Sequence, residues 1–419
     1  MRITLDWNRI ATYIFPFAIV GSLVEMYLGL WAIDTVVKFL AVLISFLVVV
    51  KVGYHRRGSF DLLVLAYVMY CLLTGVSYLW NGRPFSCYFA DISDYILPIL
   101  FVYVGLSDIY ERQMYDRFLA ALIPILLLGL FCYLTTPGWY ATRLAEAMNN
   151  QWYINGDVYD EESVLSAARF MAFFRTSYPV SHFTVFGISI VCFNFLRIDK
   201  KIRYTTVSLL VLMVSVILCM HRVAIACMVL FLGITLFFSL RNKSRKRLWP
   251  LIILGAGLIV AFVFGGTSER YSDVFSMVSE RVEDMSVGNA LKERKQIHEV
   301  MATWNNIVFG QGIGSGGATA RAAGYYGITD QNYVKLLYET GIFGCLFLAY
   351  ILGITLIRGI KYYRYYLTEL MIITFILIAM LGSNSLVIYY TYTILFWYAV
   401  GRIWNRNYLQ NAMANNIKI

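Results

Sequence analysis

Charge is scarce in this chain. Of its 419 residues only 14% are Asp, Glu, Lys or Arg, against 59% hydrophobic. Soluble globular domains carry about 25% charged residues, so a water-soluble fold is excluded. Histidine is rare too, with four in all, and His182, His221 and His298 are too scattered for a metal set defined by spacing. The seven cysteines form neither a disulfide framework nor a metal motif. Six of them (Cys71, Cys132, Cys192, Cys219, Cys227, Cys345) fall within apolar runs, and Cys87 reads as alone in a short loop. No repeat relates the two halves, no low-complexity tract marks a linker, and no nucleotide-binding domain is visible. No ATP, cofactor or metal is therefore expected.

Long apolar runs fill the space that charge leaves empty. They lie near residues 10–30, 32–50, 61–80, 92–107, 118–135, 180–196, 204–220, 223–240, 248–266, 332–357, 368–384 and 386–401. Each is long enough to cross about 30 Å of hydrocarbon as a helix, so about twelve spans are expected. Unbroken runs are not the alternating strands of a closed barrel. Asp6, Trp7 and Glu25 interrupt the first run and no small-residue cleavage site follows it, so it reads as a retained helix rather than a signal peptide.

The net charge of +10 invites a nucleic-acid partner, but its distribution rejects one. Most Lys and Arg sit in alternate connections such as KVGYHRRGS, RIDKKIR, RNKSRKR and RGIKYYRYY, while the short connections between them hold only Arg83 and Arg222. The positive-inside rule places the basic loops and both termini in the cytoplasm. The expected organisation is spans one to five in 1–135, an outer loop at 136–179, and spans six to nine in 180–266. A second outer loop at 267–330, spans ten to twelve in 331–401, and a cytoplasmic tail at 402–419 complete it. The fold class is all-α and polytopic, with two large loops on the outer face of the membrane.

Polarity gathers at that face. In ITDQNYVKLLYETGIFG, residues 328–344, Asp330, Gln331, Asn332, Tyr333, Lys335 and Glu339 crowd the start of a span. Gln331, Lys335 and Glu339 recur every fourth residue and so share one helix face. Thr329 or Asp330 suits the N-cap, and Gly341 and Gly344 permit a bend or close packing. Such a stripe is tolerable only where it meets partners or lines a wet cavity; a simple Lys335–Glu339 pair on an interfacial turn is the plainer reading. In NALKERKQIHEVMATWNNIVFG, residues 289–310, Ile297, Val300, Met301 and Trp304 mark an amphipathic helix. Arg294 lies on its apolar face, with His298 one turn on. An anion accounts for such an arginine, as does snorkelling to lipid headgroups. Arg169 and Arg175 in SAARFMAFFRTSYPVSHF precede span six, and Arg222 occupies the tight turn between spans seven and eight. Guanidinium groups grip phosphate oxygens bidentately, so these arginines point to a phosphate or pyrophosphate partner. GQGIGSGG, residues 310–317, contains G-x-G-x-x-G but follows a helix rather than a strand, so it reads as a loop and not a dinucleotide site.

HRVAIACM opening span eight, the helix carrying Arg294, VFGQGIGSGG and DQNYVKLLYETGIFG together resemble the bacterial O-antigen polymerase and ligase superfamily. RFMAFFRTSYP resembles the family's arginine-containing pattern ahead of span six. The likeness covers roughly residues 166–345; the first five spans share only topology. Ligases of the superfamily usually carry a histidine before the asparagine ahead of span ten. Here that position is Gln331, which favours a polymerase. The resemblance implies a GT-C-like transmembrane glycosyltransferase joining oligosaccharide repeats carried on undecaprenyl pyrophosphate, with membrane lipids and a chain-length regulator as partners. In that chemistry arginines stabilise the departing pyrophosphate and a carboxylate deprotonates the acceptor hydroxyl. Asp330 and Glu339 are the candidate bases. Arg169, Arg175, Arg222, Arg294, His298, Asn332 and Tyr333 are the candidate binding residues. A ligase and a lipid-linked oligosaccharide flippase remain as alternatives; flippases tend to have related halves and short loops on both faces.

Overall fold

The computed structural model describes residues 7–29, 58–108, 112–152, 169–174, 176–196, 202–241, 307–317, 332–382 and 390–414, with scattered positions at 36–50 and 320–328. Among these residues there are helices and no strands. They are α1 (Trp7–Ala11), α2 (Ile14–Leu28), α3 (Ser59–Trp80) and α4 (Phe85–Ser107). Next come α5 (Gln113–Thr135), α6 (Gly138–Trp152), α7 (Ser177–Leu196), α8 (Ile202–Cys219) and α9 (Arg222–Arg241). The last four are α10 (Asn332–Lys361), α11 (Tyr363–Ala379), α12 (Tyr390–Trp404) and α13 (Arg406–Ala414).

Among the described residues seven helical stretches are long and apolar enough to cross a membrane: Arg9–Leu28, α3, α4, α5, α7, α9 and α10. The described residues are all-α and have the character of a membrane protein. The shorter α8, α11 and α12 coincide with expected spans seven, eleven and twelve. The expected span 248–266 lies outside the described residues, and 32–50 lies mostly outside them.

Several expected boundaries shift. The fourth span begins at Phe85, not 92, so Cys87 is a buried helical residue rather than a loop cysteine. The sixth begins at Ser177, with Pro179 in its first turn, where a missing N–H costs nothing. The first long connection contains α6, and the tail continues through α12 into α13.

The helices form two compact units. In one, α7 is the centre: every residue of it except Tyr178 is buried, against α5, α8 and α9. A helix apolar all round has no solvent face to keep. The other unit is built from α1, α3, α4 and α10–α13. Its tightest pairing joins the second half of α4 to α12. A Cβ on Gly105 would lie 2.2 Å from the Tyr398 carbonyl oxygen, and one on Gly401 2.0 Å from that of Val102. Paired glycines let the two backbones touch, as small residues do in membrane helix pairs.

A buried ionic network locks that end of the unit. Arg402 Nη1 donates to Asp108 Oδ2 at 2.7 Å, and its Nε is ion-paired with Glu369 Oε1 at 2.8 Å. The Tyr398 hydroxyl donates to the same Asp108 oxygen. Asn405 Nδ2 donates to the Asp108 carbonyl at 2.6 Å, and the Arg402 guanidinium lies 3.9 Å from the Tyr408 ring centre. Arg402 is completely buried.

Candidate functional site

α10 is two helices in series. Gly341 has φ 67° and ψ −176° inside it, a conformation open essentially only to glycine. Such a break strips backbone partners: the Tyr338 and Glu339 carbonyls lose the Ile342 and Phe343 amides they would receive in a continuous helix. The glycine-rich segment 307–317 replaces each one. Gln311 N donates to the Tyr338 carbonyl at 2.7 Å and Gly312 N to that of Glu339 at 2.9 Å. In return the Ile342 and Phe343 amides donate to the Ile307 and Val308 carbonyls at 3.0 and 3.2 Å. Tyr70 Oη closes the junction by donating to the Thr340 carbonyl at 2.6 Å.

Beyond the break, residues 342–361 make a helix of roughly 30 Å, a full hydrocarbon crossing on its own. The polar residues therefore belong to a separate short helix, 332–340, set on the end of the span. Its inward face carries Asn332, Lys335, Leu336 and Glu339, all buried.

The third charged partner comes from α4. Asp91, buried, holds its Oδ1 3.3 Å from Lys335 Nζ, and Glu339 Oε1 lies 3.8 Å from the same ammonium. Gly316 N donates to Glu339 Oε1 at 2.9 Å, fastening the glycine loop to the cluster. Gly317 presses against Asp91: a Cβ there would lie 2.6 Å from Oδ1. Just past Asp91, residues Ile92–Ile96 form a π-helical turn, a distortion often found at functional sites. Within Asp91 and Asn332, three buried polar atoms have no hydrogen-bond partner among the described residues: Asp91 Oδ2 and both Asn332 amide atoms.

The other unit presents a second polar end. Phe170 N donates to the Leu218 carbonyl at 3.1 Å, which brings adjacent Arg169 beside the end of α8. A two-residue turn with Met220 at φ 54° then leads to Arg222, the first residue of α9. Arg169 and Arg222 thus share one end of this unit. Beside Arg222, His221 Nε2 lies 3.0 Å from Ser177 Oγ at the start of α7, and its ring packs on Tyr178 at 4.4 Å.

Of the residues singled out in the sequence, Asn332, Tyr333 and Glu339 share the short helix, and Arg169 and Arg222 share the second end. Tyr333 points away from the cluster, its hydroxyl donating to the Leu377 carbonyl at 2.7 Å. Glu339 is committed to Lys335 and the loop amide. Asp330, Arg175, Arg294 and His298 lie outside the described residues. Asp91 and the Ser177–His221 pair escape a reading by motif. Asp91 sits just before the apolar run used to place the span, and no local pattern links Ser177 to His221.

Among known protein families none matches this chain, and no curated protein is similar to it.

Proposed function

We propose that this protein is a polysaccharide polymerase of the O-antigen type, a glycosyltransferase in the bacterial inner membrane. It joins oligosaccharide repeats carried on undecaprenyl pyrophosphate at the periplasmic face and releases undecaprenyl pyrophosphate. Donor and acceptor are both lipid-linked repeats; membrane lipids and a chain-length regulator are the further partners. The arginines, Arg169, Arg175, Arg222 and Arg294, balance the charge that builds on the pyrophosphate as the anomeric bond breaks. Asp330 or Glu339 takes the acceptor proton, while His298 and Asn332 help hold the sugars.

The observation that carries the reading is the buried Asp91–Lys335–Glu339 cluster at the head of a complete span, under a glycine loop. Buried ionisable groups gathered at one end of a span mark a candidate functional site. The break at Gly341 also suits a flippase, since transporters bind substrate at interrupted helices near the bilayer midplane. Here, however, a full crossing remains beyond the break, so the polar segment sits at the edge of the span. That geometry suits chemistry at an interface better than passage through the bilayer.

Deleting the gene and displaying lipopolysaccharide on a gel separates the readings. A polymerase defect leaves core plus a single repeat. Bare core with accumulated lipid-linked polymer would make the protein a ligase, and single repeats trapped on the inner face would make it a flippase.

A further inference from the structure

Resting on the glycosyl-transfer reading but moving its base away from Asp330 and Glu339, we infer that Asp91 is the catalytic base for the acceptor hydroxyl and that Asn332 holds that hydroxyl beside it. Glu339 Oε1 receives the Gly316 amide and faces Lys335. Asp91 Oδ1 faces Lys335 and packs against Gly317. Asp91 Oδ2 has no hydrogen-bond partner among the described residues, nor do Oδ1 and Nδ2 of fully buried Asn332.

Asn332 stands one turn above Lys335 on the same buried face, the face on which Lys335 meets Asp91. A carboxylate oxygen that accepts, beside an amide that both donates and accepts, matches a sugar hydroxyl. It does not match a phosphate, which would need donors throughout.

The step balances within the two substrates and Asp91. The acceptor O–H proton passes to Asp91 Oδ2 as the oxygen forms a bond to the anomeric carbon. The bond from that carbon to the pyrophosphate oxygen breaks, and its electron pair leaves with undecaprenyl pyrophosphate. Asp91 afterwards returns the proton to water. The glycine loop brings backbone rather than side chains up to both acids.

The test uses the full chain in liposomes. The donor is lipid-linked repeat extracted from a strain lacking the gene. The acceptor is the lipid-free repeat cut from the same material, so the two concentrations vary independently. Asp91→Asn is expected to lower kcat by about 100-fold or more, the usual contribution of a general base, with donor KM within about threefold. Asn332→Ala is expected to raise acceptor KM about tenfold with kcat nearly unchanged, the mark of lost binding rather than lost chemistry. Turnover by Asp91→Asn within about tenfold of the parent would overturn the assignment. Should that variant not survive extraction as a monodisperse protein, Asn332→Ala decides, and an unchanged acceptor KM overturns it. A parent protein that forms no polymer removes the glycosyl-transfer reading itself, whereas a parent that polymerises beside unaffected variants removes only this inference.

Discussion

Replacing Gly341 with alanine tests the interrupted helix. Its φ of 67° with ψ −176° would impose about 1–3 kcal/mol of backbone strain on any L side chain. A Cβ would also sit 2.2 Å from the Val308 carbonyl oxygen and 2.5 Å from Gly310 N, so the loop must move. A continuous helix offers an escape: the Ile342 and Phe343 amides return to the Tyr338 and Glu339 carbonyls, recovering two hydrogen bonds. The four bonds to the loop are then lost, leaving the Gln311 and Gly312 amides and the Ile307 and Val308 carbonyls without those partners. At a net 0.5–1.5 kcal/mol per bond, the difference of two bonds adds about 1–3 kcal/mol. Because the strain vanishes once the helix runs through, this escape costs about 1–3 kcal/mol rather than the sum of the two, enough to loosen 307–317 locally while the span survives. Hydrogen–deuterium exchange read by mass spectrometry checks this. Peptides covering 307–317 are expected to exchange about fivefold faster or more, while those in 345–358 stay protected. Unchanged protection of 307–317 in Gly341→Ala would refute the claim that the break and the loop sustain each other.

Further outcomes follow from other contacts. Asp108→Ala removes one of two acids from fully buried Arg402 and strands part of its charge, so it should destabilise the protein by about 3–5 kcal/mol; a melting temperature in detergent within a degree of the parent would contradict this. Gly401→Val forces side-chain atoms into the Val102 backbone and should cost at least the 1–3 kcal/mol typical of overpacking, read as reduced yield of monodisperse protein. Tyr333→Phe removes one hydroxyl bonded to a carbonyl and should lower stability by about 1 kcal/mol while leaving activity intact; lost activity would return Tyr333 to the substrate. Arg222→Ala and Arg294→Ala should each abolish long-chain polysaccharide on a gel, and normal chains in both would remove the arginine clamp.

Much of the helical architecture was legible because a 30 Å apolar core demands long unbroken runs. The bend at Gly341 and the Lys335–Glu339 pair were legible too, since both depend on residues within one helical turn or two. Asp91 was not. Its partner Lys335 lies 244 residues away, and no spacing rule reaches that far. Hydropathy also trims helix ends where polar residues face inward, so the run from 92 hid the turns that begin at Phe85. α6 was missed for a related reason: an amphipathic helix outside the apolar runs has no length signal of its own. The glycines of 310–317 looked like a loop, as they are, but their use as a hydrogen-bonding splint for a broken helix depends on tertiary contact.

The most direct measurement is made on the purified protein in liposomes supplied with extracted undecaprenyl-pyrophosphate-linked repeats and no nucleotide. The account predicts a ladder of lipid-linked chains differing by one repeat, with undecaprenyl pyrophosphate released in step with each bond formed. Repeats that cross from one leaflet to the other without lengthening would contradict it.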